Sequence, residues 1–86
     1  MAHIMRFNEL NSTGGYDPLR DGFIHGEYKG RQAIVISIDQ ANGTYTLLVG
    51  NYTDTLARRI AENPAFLKRY ESNIETVSRG DWEREN

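Results

Sequence analysis

Three segments rich in β-branched and aromatic residues, Phe23 to Tyr28, Gln32 to Asp39 and Thr44 to Tyr52, follow one another with only short spacers between them. Residues of this kind fit a pleated, half-buried surface, so the middle of the chain reads as three antiparallel strands in a meander. The spacers are Lys29-Gly30 and Gln40-Ala41-Asn42-Gly43, and Asn42-Gly43 is the strongest hairpin signal in the chain. A type I′ turn needs positive φ at both central residues, which asparagine and glycine tolerate.

A turn centred on Asn42-Gly43 pairs Ile38 with Leu47, Ile36 with Val49 and Ile34 with Asn51, and a turn centred on Lys29-Gly30 pairs Phe23 with Ile36 and His25 with Ile34. These registers predict two faces. The core face carries Phe23, His25, Ile34, Ile36, Ile38, Tyr45, Leu47 and Val49. The opposite face carries Ile24, Tyr28, Val35, Ser37, Asp39, Thr46, Leu48 and Tyr52.

Beyond the strands, Thr53 or Asp54 can cap a helix over Thr55 to Glu62, with an apolar stripe of Leu56, Ala57, Ile60 and Ala61. Asn63-Pro64 repeats the start signal and predicts a second helix from Pro64 to about Ser78, with Phe66, Leu67, Tyr70, Ile74 and Val77 as its stripe. Arg79-Gly80 reads as a helix stop, leaving residues 80–86 as a charged tail around the sole tryptophan, Trp82. Upstream, Met1 to Ile4 reads as an added leader, Met5 to Leu10 as a short element, and residues up to Gly22 as loop and turn. The expected fold class is α+β: one domain over residues 1–86, a three-stranded meander over 23–52, packed on one face by a helix or proline-broken helix pair over 54–79. With 86 residues, two separate cores do not fit.

Composition removes several classes of function. The absence of cysteine excludes disulfides, thiolate nucleophiles and sulfur-ligated zinc. Ten basic against twelve acidic residues give a net charge of −2, without the basic excess that accompanies non-specific binding to a phosphate backbone. Eight of the ten basic residues are arginine, which makes planar contacts with carboxylates, phosphates and aromatic faces and so favours interfaces. The longest apolar run, Ala33 to Ile38, is interrupted by Ser37 and falls far short of a membrane span, so a cytoplasmic protein is expected.

His25 and Glu27 lie two apart in a strand, on one face, and form the one acid-base pair the sequence offers. No nucleophile motif, metal-spaced cluster or phosphate-binding glycine loop accompanies them, so no cofactor or metal is expected. Arg31, Arg58, Arg59, Lys68 and Arg69 are the candidate nucleic-acid contacts. On a continuous helix Arg58 and Arg69 share an azimuth to within about 20°. Glu62, Glu71 and Glu75 occupy the same helices, the mixture of signs that a solvated face shows.

The order of three strands and then a helix, with Leu48-Val-Gly-Asn-Tyr-Thr-Asp-Thr-Leu-Ala-Arg-Arg-Ile-Ala61 across the junction, resembles the DNA-binding domains of phage integrase arms and plant ethylene-response factors over about residues 23 to 66. That resemblance implies a sheet face, opposite the helix, that enters the major groove. The equivalent face here carries Val35, Ser37, Asp39, Thr46 and Leu48, with Arg31 and Tyr28 matching the family's reading residues in kind.

One helical layer cannot cover both sheet faces, and Ile24, Tyr28, Val35, Leu48 and Tyr52 are expected on the uncovered one. Either the N-terminal segment or the Trp82 tail covers them, or a partner does. The expected function is therefore a small interaction module, an adaptor or inhibitor, that binds a protein partner or a second copy through this face and the arginine-bearing helices. A DNA-binding accessory of the integrase-arm type is the alternative, and an enzyme using His25 and Glu27 the third reading.

Overall fold

A computed structural model describes residues 16–86. The expected leader and the element at Met5 to Leu10 lie outside the described residues. The chain is α+β, with a four-stranded antiparallel sheet in the order β1-β2-β3-β4. A turn of helix, α1 (Pro18–Asp21), precedes β1 (Ile24–Tyr28), β2 (Arg31–Asp39) and β3 (Thr44–Val49). Helices α2 (Asp54–Glu62) and α3 (Pro64–Arg69) follow, then a 3-10 turn (Glu71–Asn73), β4 (Ile74–Ser78) and α4 (Arg79–Glu85). No helix among the described residues is long and apolar enough to cross a membrane.

The first hairpin follows the expected register, with Ile24 opposite Val35 and His25 opposite Ile34. Lys29 and Gly30 both take positive φ, 52° and 78°, as a type I′ turn requires. The second hairpin departs from expectation. It closes at Asp39 and Thr44 around a four-residue loop, in which Gly43 has φ 66° and Asn42 keeps negative φ. The Asp39 carboxylate explains the longer loop: it accepts from the Asn42 backbone N–H at 3.1 Å and from its Nδ2 at 2.7 Å, a local bond that a two-residue turn would break.

A second correction has larger consequences. The pairing of β2 with β3 slips between Val35 and Ser37, where Ile36 is an extra residue. Because side chains alternate, a one-residue slip exchanges the faces of everything beyond it. Val35 therefore pairs with Leu47, Ile34 with Leu48 and Ala33 with Val49, in place of the expected Ile36–Val49 and Ile34–Asn51 pairs. Leu48 moves to the face that carries Ile34 and Ile36, whereas Ile38, Tyr45, Leu47 and Val49 move to the other.

The third correction concerns the C-terminal quarter. The helix expected through Ser78 stops at Arg69, and Ile74-Glu75-Thr76-Val77-Ser78 forms β4 against β3, from Leu48↔Ile74 to Thr44↔Ser78. Three β-branched residues in five prefer extended backbone, and the free edge of β3 offers them hydrogen bonds that an isolated last turn of helix does not. Arg79-Gly80, read as a stop, instead begins α4: the Ser78 side chain caps it by accepting from Asp81 N at 3.1 Å.

Both faces of the sheet are thus covered, and in place of the single core expected from the chain's length two apolar clusters result, one on each face. Ile34, Ile36 and Leu48 pack with Ala57 and Ile60 under α2 and α3, with Leu56, Phe66, Leu67, Tyr70 and Ile74 around them. Ile24, Tyr28, Ala33, Val35, Tyr45, Leu47, Val49 and Val77 pack with Trp82 under α4. Trp82, expected in a charged tail, is 0% exposed and is the largest fully buried side chain among the described residues. Gly26 makes the seat for its ring, since a Cβ there would lie 2.7 Å from Trp82 Cζ2 and Cη2.

Candidate functional site

The helical face of the molecule is shaped by two caps. Thr53 accepts from Leu56 N at 3.2 Å and starts α2, and Asn63 accepts from Ala65 N and Phe66 N at 3.0 and 3.3 Å and starts α3, with Pro64 in its first turn. The break at Asn63 abolishes the single azimuth expected of Arg58 and Arg69. Arg59 and Arg69 instead share one ring, that of Phe66, their guanidiniums 4.7 and 5.8 Å from its centroid. Phe66 is half-buried and contacts Tyr70 at 5.6 Å between centroids, and Tyr70 meets Tyr52 edge-on at 5.9 Å.

The cations of this region divide by what they touch. Arg58 is committed to the fold: it donates to Leu19 O at 3.1 Å, approaches Glu62 at 3.7 Å and lies over Phe23. Arg59, Lys68 and Arg69 have no carboxylate partner among the described residues and are exposed. Arg31, the fifth candidate, stands at the turn end of the first hairpin, opposite Tyr28. The ring's quadrupole attracts both guanidiniums, which holds their charges at the surface beside Phe66. Each exposed guanidinium keeps its planar fork of donors open to a carboxylate or phosphate.

The residues expected on an uncovered sheet face lie elsewhere than predicted. Ile24, Tyr28 and Val35 are buried under α4, and Leu48, 0% exposed, is in the core beneath α2 and α3. The sheet face that the integrase-arm resemblance would turn to DNA is the one covered by Trp82. Tyr52 alone of the five stays half-exposed, and it belongs to the aromatic row beside the arginines.

His25 makes a different pair from the expected one with Glu27. Its Nε2 lies 2.6 Å from Asp54 Oδ1, joining β1 to the first turn of α2. The carboxylate can only accept, so Nε2 carries a proton and neutral His25 keeps its lone pair on Nδ1. His25 and Glu27 line a shallow cleft of about 310 Å³ with Gln32, Gly50 and Tyr52. Among the described residues no group of three or more histidine and carboxylate side chains is placed to hold a metal. Asp54 was visible in the sequence only as a helix-start residue; no spacing rule connects it to a histidine on a strand 29 positions earlier.

Comparison with protein-family models, with curated proteins and with solved structures finds no match to this chain.

Proposed function

We propose that the chain is an interaction module that binds an acidic surface of a protein partner through the arginine-aromatic face of α2 and α3. The observation that carries this reading is the pair Arg59 and Arg69 over Phe66, two guanidiniums without carboxylate partners among the described residues. Arginine and aromatic side chains are the residues enriched where interfaces concentrate their binding energy. The net charge of −2 makes this a local feature, not a general affinity for polyanions, which favours a protein carboxylate cluster over a nucleic-acid backbone.

The test is affinity capture from the source cells with the native chain and with an Arg59→Gln/Arg69→Gln variant, each with and without nuclease. The expected result is one protein recovered in fixed ratio with the native chain, resistant to nuclease and reduced at least tenfold with the variant, as hot-spot losses of about 2 kcal/mol or more imply. Equal recovery with both chains refutes the reading. Recovery that nuclease abolishes transfers the same cations to the nucleic-acid alternative.

A further inference from the structure

The two edges of the sheet are treated differently. The β1 edge is closed by the chain's own α4. Asn86 Oδ1 accepts from Glu27 N at 2.8 Å, its Nδ2 donates to Glu27 O at 3.0 Å, and Glu85 accepts from Lys29 N. The side-chain amide of Asn86 thus imitates one residue of a neighbouring strand. The β4 edge pairs with no strand among the described residues.

Which backbone groups β4 turns outward follows from the ladder. Arg79 N donates to Gly43 O at 2.9 Å, and these two residues extend the Thr44↔Ser78 register. Hydrogen-bonded and non-bonded pairs alternate along an antiparallel ladder, so Val77 and Glu75 face β3, and Ser78, Thr76 and Ile74 face outward. The Ile74 N–H agrees with this assignment, since it bonds to Glu71 O and not to β3. The outer edge therefore presents two donors, Thr76 N–H and Ser78 N–H, and two interior acceptors, Ile74 O and Thr76 O.

This set is self-complementary about Thr76. We propose that β4 pairs with β4 of a second copy of this chain, antiparallel and centred on Thr76, joining two sheets into one. Thr76 exchanges both backbone bonds with Thr76 of the second copy, and each Ser78 N–H meets the Ile74 carbonyl of the other chain. No like charges stand directly opposite: threonine faces threonine, a favourable cross-strand pair, Ile74 faces serine and Glu75 faces valine. A register centred on Glu75 would set two carboxylates face to face across the axis, and one centred on Val77 would call on the Ser78 carbonyl, which already serves the first turn of α4. The two-fold axis is perpendicular to the sheet, so both α2–α3 faces lie on the same side. If the function proposed above holds, the dimer presents two arginine faces in one direction; the pairing itself does not depend on it.

Because the chain contains no cysteine, a single one can report on this register. Bonded antiparallel pairs hold their Cα atoms about 5.5 Å apart, within disulfide reach. Sedimentation equilibrium of the full chain up to about 200 µM should show twice the 9.8 kDa chain mass, and Thr76→Lys, which sets two lysines face to face on the axis, should return the monomer with an unchanged circular dichroism spectrum. Thr76→Cys should cross-link under diamide at least tenfold faster than Glu62→Cys on α2. A native chain that stays monomeric, or a Thr76→Cys chain that cross-links no faster than the helix control, overturns the proposal. So does a dimer that survives in a folded Thr76→Lys variant; should that variant not fold, the cross-linking rates decide.

Discussion

Replacing Trp82 with alanine tests whether α4 is a structural layer or an appendage. A buried tryptophan removes about 150 to 250 Å² from water, worth about 4 to 6 kcal/mol at 25 cal/mol per Å². Trp82 Nε1 has no hydrogen-bond partner among the described residues, and releasing it returns about 1 to 3 kcal/mol. The expected net loss is about 3 kcal/mol, a large share of the roughly 4 to 13 kcal/mol available to a chain of this length. Urea titration followed by far-ultraviolet circular dichroism measures it, since the variant lacks the only tryptophan. The companion change is Gly26→Ala. In a strand, alanine for glycine is ordinarily favourable, but here the new methyl group strikes the Asn86 amide oxygen and lies 2.7 Å from the Trp82 ring, so a cost of about 1 to 3 kcal/mol is expected. In the Trp82→Ala background that cost should shrink, because the contact with the ring is gone while the contact with Asn86 remains. A loss under about 1 kcal/mol for Trp82→Ala, or strict additivity of the two changes, refutes the packing of α4 on β1.

Three further outcomes follow from the same structure. Leu48→Lys should unfold the chain or cost more than about 4 kcal/mol, because it buries an unpaired ammonium between Ile34 and Ile60; a folded variant by circular dichroism would restore the expected assignment of Leu48 to an outer face. Tyr45→Phe removes a buried hydroxyl without a partner among the described residues and should leave stability unchanged or raise it by about 1 kcal/mol in urea titration, whereas a loss of that size would reveal a partner for the hydroxyl. The Asn42 amide holds the Asp39 carboxyl below the ordinary carboxylate range, and Arg20 does the same for Asp21. A lowered folded-state value stabilises above the unfolded value of about 3.9 and is lost as pH falls through the folded one, so melting temperature should drop on acidification below about pH 4. Asp39→Asn should flatten part of that drop, and an unchanged slope would count against the loop bond.

The parts of this fold written in local chemistry were legible in the sequence. Lys29-Gly30 determined the first hairpin and its register, because a two-residue turn with positive φ at both positions leaves one way to pair its strands. Thr53, Asn63 and Pro64 determined where α2 and α3 begin, because caps and proline act within a few residues of themselves. What depended on distant partners was decided only in the tertiary structure. The extra residue at Ile36 has no signature among isoleucines and valines, yet it reassigns Leu48 and Leu47 to opposite cores. Ile74 to Ser78 carries a stripe that a helix could use, and the open edge of β3 makes it a strand. Trp82 became a core residue because β1 offers Gly26 as a flat seat, and the arginine pair over Phe66 arose because the break at Asn63 rotates α3 relative to α2. In each case the local propensities were nearly balanced, and burial against another element, which no short window of sequence contains, set the outcome.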